Sequence, residues 1–144
     1  MSKCETARGK VHDVHHHMKD GDYKFGLDVQ KKYKDLLNKG NNKKRVGGNL
    51  IVEIVPKDRK SSDVYLPEKG EDVRVWGAWV KDKPNGWNEI HPVYCMQKWE
   101  NPDYQDFANQ KDKWCRAMAE AKEGLVQDNQ EQPPYRYVID PRLG

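Results

Sequence analysis

The sequence predicts a mainly β protein, built as a small five-stranded barrel that is followed by a helix. Five extended segments fall within the first 99 of 144 residues. Short turns containing Gly, Asp or Pro separate most of them, and one segment is a continuous β-branched run. This pattern favours a barrel, because closing the sheet removes exposed strand edges. Leu, Ile, Val and Phe are scarce, so the five Trp and seven Tyr are expected to supply much of the core.

The first two strands are predicted to form a hairpin within residues 8–29. They flank Asp20-Gly21-Asp22, and an Asp-Gly step favours the positive φ of a tight turn. Residues 30–38 place three apolar side chains at helical spacing and predict a short amphipathic helix. Residues 41–48 predict a polar, basic loop.

The third strand is the clearest, because residues 49–56 are apolar on both faces except at Glu53. Residues 57–70 are charged, lack periodicity and are expected to loop out. The fourth strand is predicted over residues 72–80 and the fifth over residues 87–99, with Pro92 indicating an edge or a bulge.

Residues 1–99 are therefore interpreted as the barrel domain, and residues 100–144 as an appendage. Apolar residues recur at helical spacing from Asn101 to Gly124, which predicts an amphipathic helix. This helix is expected to pack on the barrel or on a second copy, which would form a homodimer. The extended apolar strip from Pro133 to Ile139 is expected to dock on its own domain, with recruitment of a partner as the alternative.

Composition also bears on compartment. The longest apolar runs are far shorter than the ~18–20 residues of a membrane span, and residues 1–10 lack the apolar stretch of a signal peptide. The chain is expected to be soluble with no membrane partner, although a mature exported domain stays open. Cys4, Cys95 and Cys115 have no CxxC spacing, and a Cys4–Cys95 pair is one option in such a domain.

Glu53 is the first candidate functional residue. An ionised carboxylate is costly to bury without a partner, and Glu53 lies in the middle of an apolar strand. Glu89 and His91 are two residues apart, so they share one face of the last strand, where both can contact Glu53. The three residues would form either a purely structural polar network or part of a ligand site.

The first hairpin offers further ligands for a divalent cation. His15 and His17 share a face, and Asp20 and Asp22 flank the turn. The predicted metal set joins these hairpin residues to the strand residues, and Zn²⁺, Mn²⁺ or Mg²⁺ are the candidate ions. Its members are His17, Asp20, Asp22, Glu53, Glu89 and His91.

A second hypothesis is a barrel that binds single-stranded nucleic acid through stacked rings on a basic face. Residues 1–48 carry 12 basic and 6 acidic side chains, whereas residues 100–144 carry 6 and 9. These charges can equally be ordinary solvated faces, and the rings can equally be core. The candidate residues for this interface are Lys24, Arg74, Trp76, Trp79 and Lys81.

Four sequence blocks together carry a family resemblance. They are Asp20-Gly21-Asp22, Leu50–Pro56, Val73-Arg74-Val75-Trp76-Gly77 and Gly86-Trp87-Asn88-Glu89-Ile90-His91-Pro92-Val93. Over about residues 8–98 the chain resembles a family of small, largely uncharacterised prokaryotic proteins with Asp-Gly-Asp and Gly-Trp-x-Glu-Ile-His-Pro-Val motifs. The resemblance implies an OB-like barrel, often exported, and points to the same metal set. Lys24 and Asn85 stand where the family pattern has His.

These observations predict a small binding module with a polar Glu/His pocket for a divalent cation or a small polar ligand. The alternatives are the nucleic-acid-binding barrel and a metal-dependent hydrolase or nuclease in which Glu89 acts as base and His91 as ligand or acid. The chain has no Gly-rich phosphate loop, no Gly-x-Ser-x-Gly elbow and no His-Glu-x-x-His motif.

Overall fold

Five strands form one closed barrel in this protein. The structure, a computed structural model, describes residues 4–16, 21–57 and 64–127. Around the barrel the strands follow the order β1-β2-β3-β5-β4, and β4 pairs with β1 to close it. The pairing of β3 with β5 is parallel and the other four pairings are antiparallel. The predicted five-stranded barrel is confirmed. Its strands are β1 (Glu5–His16), β2 (Tyr23–Val29), β3 (Leu50–Ile54), β4 (Asp72–Asp82) and β5 (Trp87–Lys98).

The barrel interior is a single apolar cluster to which every strand contributes. Phe25 and Leu27 of β2 meet Val52 of β3 and Ile90 of β5, and all four are fully buried. Full burial of such a side chain stabilises the fold by about 1.5–3 kcal/mol. The prediction that β3 is covered on both faces also holds, because Ile51 on the other face is only 6% exposed.

Two short helical segments connect β2 to β3. A 3-10 helix, Lys31–Leu36, lies within the helix predicted over residues 30–38 and buries Tyr33 and Leu36. Residues 41–48 were predicted as a loop, and this prediction is wrong in its first half, because Asn41–Arg45 forms α1. Tertiary contacts of one side chain account for the difference.

Asn42 of α1 is that side chain, and it is fully buried. Its Nδ2 donates to the carbonyls of Asn49 (2.9 Å) and Asn88 (3.0 Å). Its Oδ1 accepts from the backbone N–H groups of Asn38 (3.0 Å) and Asn88 (2.8 Å). Buried backbone groups require such partners, so α1 is fixed by two neighbouring segments and by the start of β5 rather than by its own helical propensity.

The bulge or edge predicted at Pro92 corresponds to an irregular stretch of the β4–β5 ladder. The register shifts on both sides of Gly77, between Trp76 and Trp79. A Cβ at Gly77 would meet the carbonyl oxygen of Pro92 and the side chain of Ile90 (2.6 Å). The absence of a side chain at Gly77 therefore allows β4 to approach β5 closely beside His91.

The C-terminal helix α2 (Tyr104–Gln127) packs on the barrel and is covalently attached to it. The Cys4–Cys95 option is wrong, because Cys4 is bonded to Cys115 of α2, with their Cα atoms 5.3 Å apart. Cys95 is a buried free cysteine on β5. The pairing depends on where α2 docks, which cysteine spacing does not report.

A second apolar cluster lies between α2 and the barrel. Trp76 of β4 and Tyr94 of β5 join Met118 of α2 in it, and an ion pair between Arg74 and Asp112 (2.6 Å) borders it. None of the helices within the described residues is both long and apolar enough to cross a membrane. The predicted strip at residues 133–139 lies outside the described residues.

Candidate metal centre

Glu53, Glu89 and His91 meet on the outer face of the barrel. The parallel ladder pairs Ile51 with Glu89 and Val52 with Ile90, so Glu53 and His91 are the next residues along the two strands. His91 Nδ1 lies 2.7 Å from Glu53 Oε2 and 3.1 Å from Glu89 Oε1. Strand alternation puts Glu89 and His91 on one face, and the parallel register brings Glu53 beside them.

The two carboxylates differ in their surroundings. The side chain of Glu89 is 5% exposed, and its Oε2 accepts a hydrogen bond from the Trp87 indole N–H (3.1 Å). The side chain of Glu53 is 14% exposed, and the Lys24 ammonium lies 4.0 Å from its Oε1. Glu89 is therefore the more buried carboxylate of the pair, and Glu53 is the more exposed one.

His91 provides the positive charge between these carboxylates when no metal is bound. Hydrogen bonding to Glu53, followed by that to Glu89, raises the pKa of His91 to about 10, and partial burial opposes the rise. The imidazole is thus an imidazolium at neutral pH. One N–H faces two carboxylate oxygens, and it can donate a well-aligned hydrogen bond to only one of them.

Asp22 completes a candidate metal-binding triad. It immediately precedes β2, whose first residue, Tyr23, pairs with Ile54 of β3. One ligand atom each from Asp22, Glu53 and His91 lies within 4.8 Å of the other two. Two ligands of one tetrahedral zinc ion are about 3.4 Å apart, so side-chain movements of about 1 Å would place all three donors on a single cation.

The other predicted ligands either lie outside the described residues or are not grouped with these three. His17 and Asp20 lie outside the described residues. Glu89 contacts His91 but is not one of the three grouped ligands. His15 is exposed and pairs with Lys24 in the β1–β2 ladder.

The rings of the predicted nucleic-acid interface are internal or partly internal. Trp76 is fully buried, and its indole N–H donates to Asp112 Oδ1 (3.0 Å). The indole of Trp79 packs against the barrel interior and donates to the Leu36 carbonyl (3.0 Å). Trp76 belongs to the core, which was the alternative interpretation, and has no exposed face on which a base could stack, whereas Trp79 is partly buried.

The cations of that predicted interface are also separated. Arg74 pairs with Asp112 beside α2, whereas Lys24 lies next to Glu53 on the face of β2 and β3. Lys81 is exposed near the end of β4, where it pairs with Asn88 in the ladder. The structure does not bring the five predicted residues into one surface.

Sequence reasoning missed a cleft that adjoins the carboxylates. It has a volume of about 370 Å³. Lys24 connects it to Glu53, and Trp87 connects it to Glu89. Trp87 could have been found by extending the alternation from Glu89 and His91 back by two residues. The remaining lining residues are Asp13, His15, Phe25, Gly26, Arg45, Val46, Asn49 and Ile51.

Fold and site together define a small closed β-barrel with a carboxylate–histidine cluster on its outer face. The sequence matches no family model and no curated protein. The barrel implied by the family resemblance is present. Membership of that family stays a prediction that rests on the motifs.

Proposed function

We propose that this protein is a binding module that holds one divalent cation at Asp22, Glu53 and His91. The observation that carries the proposal is the convergence of three ligand atoms within 4.8 Å of one another. They come from the β1–β2 turn, β3 and β5, which are far apart in sequence. A site assembled from three segments is held in place by the barrel itself.

The charges of the cluster support this proposal. Glu53 and Glu89 both contact Nδ1 of His91, which has a single proton and can form a well-aligned hydrogen bond with only one of them. A divalent cation that replaces the proton on His91 Nδ1 would place two positive charges between the carboxylates, where the imidazolium places one. A mixture of carboxylate and imidazole donors suits Zn²⁺ or Mn²⁺, whereas Mg²⁺ favours oxygen ligands alone.

The surroundings of Glu89 favour binding over hydrolysis. A general base needs an oxygen directed at a substrate or a bound water. The Glu89 carboxylate is 5% exposed and is engaged by Trp87 and His91. We therefore assign Glu89 a charge-balancing role: its carboxylate accepts from His91 Nδ1 in the metal-free protein, and its negative charge would face a cation that replaced this proton.

Calorimetric titration of the chelator-treated protein with Zn²⁺ and Mn²⁺ tests the metal site. We expect one strong site per chain, with affinity reduced at least about 10-fold in Glu53→Gln and Asp22→Asn. Matched controls are Glu120→Gln, an exposed carboxylate of α2, and His12→Asn on β1, which should bind normally.

The consecutive histidines of the first hairpin require a separate control, because His15, His16 and His17 can bind metal by themselves. A double variant, His15→Asn with His17→Asn, separates the two sources. Uptake that persists in this variant and is lost in Glu53→Gln supports the proposed site. The reverse pattern would refute it.

The disulfide supports the proposal that this is an exported domain. Disulfides form and persist in oxidising compartments and are rare where cellular thiols are kept reduced. Cys4 and Cys115 are bonded across most of the chain. Labelling of free thiols in protein taken from its native source tests this placement, and a reduced Cys4–Cys115 pair there would contradict it.

A further inference from the structure

The polar side chains that line the cleft beside the candidate metal centre are mostly hydrogen-bond donors, and the rest of its wall is apolar. Lys24 and Arg45 both line it, and both lie over the Trp87 ring, at 5.7 Å and 5.2 Å from its centroid. One N–H of Arg45 donates to the Asn85 carbonyl (3.1 Å), and the other N–H groups of its guanidinium can donate to a ligand. Two cations therefore share one buried indole at the wall of the cleft.

Two further cleft side chains have unused hydrogen-bonding capacity. The Asn49 amide lies 3.0 Å from the position that a Cβ at Gly26 would occupy, so the absence of a side chain at Gly26 makes room for it. Neither the Asn49 side chain nor the His15 imidazole forms a hydrogen bond with any residue that the structure describes. Both can reach a ligand without breaking an internal contact.

An irregularity in β1 aims one acceptor at the same cleft. The β1–β2 register shifts between His12 and His15, and Asp13 within the shift has a φ of +49°. A non-glycine residue rarely adopts this conformation, and bulges of this kind redirect side chains next to binding sites. Among the described residues that line the cleft, Asp13 alone carries a carboxylate.

The balance of charges indicates the ligand. Two cations, an amide and an imidazole can surround a phosphate, which offers about two negative charges and several acceptor oxygens. The carboxylate of Asp13 can accept a hydrogen bond only from a donor such as a hydroxyl group. A volume of about 370 Å³ lies at the lower end of the range for small-molecule sites.

We infer that this cleft binds a small phosphorylated polyol, such as a sugar phosphate, with the phosphate held by Lys24 and Arg45 and a hydroxyl held by Asp13. This inference goes beyond the proposed function, because the cleft has its own donors and does not need the cation. Lys24 is the residue that the two sites share, since it lines the cleft and lies 4.0 Å from Glu53.

Calorimetry in chelator at low salt tests the inference, with ribose 5-phosphate, inorganic phosphate and ribose as the probes. We expect saturable binding of one ribose 5-phosphate per chain, weaker binding of phosphate and the weakest binding of ribose. Arg45→Gln should weaken ribose 5-phosphate binding at least about 10-fold. The matched control, Arg116→Gln on the exposed side of α2, should not change it.

Asp13→Asn tests whether Asp13 contacts the hydroxyl end of the ligand rather than the phosphate end. Asn tolerates positive φ about as well as Asp, so this variant should fold. It should weaken ribose 5-phosphate binding and leave phosphate binding unchanged or tighter, because it removes a negative charge. Equal weakening of both probes would contradict the assignment of Asp13.

Three outcomes would overturn the inference: no binding of ribose 5-phosphate, equal losses in Arg45→Gln and Arg116→Gln, or binding of single-stranded DNA in its place. Glu53→Gln distinguishes this test from the metal test. That variant should lose metal and retain ribose 5-phosphate, whereas a variant that loses both would show that the cleft is not a separate site.

Discussion

At the residue scale, His91 connects the chemistry of the site to its stability. Its Nδ1 holds the carboxylates of Glu53 and Glu89 together at 2.7 Å and 3.1 Å. Without this imidazolium, two partly or fully buried negative charges would face each other, which is a destabilising arrangement. The same residue therefore stabilises the metal-free barrel and is displaced from that role when a cation binds.

This double role predicts a pH dependence for the metal-free protein. The folded pKa of His91, about 10, lies above its ordinary value of 6.5. A raised pKa contributes stability that is fully present below about pH 6.5 and is lost as the pH rises through about 10. With chelator present, wild type should therefore be more stable than His91→Asn at pH 6, with the difference shrinking toward pH 10.

Denaturant unfolding of both proteins across this pH range measures the effect, because the comparison cancels groups that titrate in both. An NMR titration provides a direct check. The histidine resonance that is missing in His91→Asn should titrate near pH 10. A midpoint close to 6.5 would show that the carboxylates do not hold the imidazolium.

At the element scale, the pairing of β5 with both β3 and β4 positions the site. The parallel β3–β5 register sets Glu53 beside His91, and the β4–β5 ladder supports β5 from the other side. Gly77 permits the close approach of those two strands, since a Cβ there would collide with the Pro92 carbonyl oxygen. The backbone that carries His91 thus depends on a residue with no side chain.

Gly77→Ala should accordingly destabilise the barrel, by about 1–3 kcal/mol, because backbone atoms cannot give way as a flexible side chain would. The control is Glu120→Ala, an exposed substitution on α2 away from the β4–β5 ladder. Urea unfolding of both variants measures the difference, and equal stability would contradict the packing described at Gly77.

At the scale of the whole molecule, the candidate sites and the C-terminal helix use different residues of the barrel. The carboxylate–histidine cluster and the cleft use residues of β1, β2, β3 and the first half of β5, whereas α2 covers Trp76 of β4 and Tyr94 in the second half of β5 and is bonded to Cys4 just before β1. A change in the attachment of α2 should therefore alter stability much more than it alters metal binding.

Cys115→Ser tests this separation. Opening a loop with a sequence separation of 111 should cost about 4–5 kcal/mol, because the unfolded chain regains conformational freedom. Urea unfolding should show this loss, and a reductant should produce it in wild type but not in the variant. Zinc affinity, measured below the unfolding transition, should stay unchanged, and a loss of zinc binding in the folded variant would show that α2 supports the site.

The sequence by itself determined the five strands, the helix after them and the need of Glu53 for a partner, because these follow from local periodicity and from the cost of burying a charge. Only the tertiary structure decided that Asp22 joins Glu53 and His91, that Cys115 rather than Cys95 pairs with Cys4, and that a cleft lies beside Trp87. These features depend on strand register, on a bulge and on the docking of α2. All three are set by contacts between residues far apart in the chain, which periodicity does not encode.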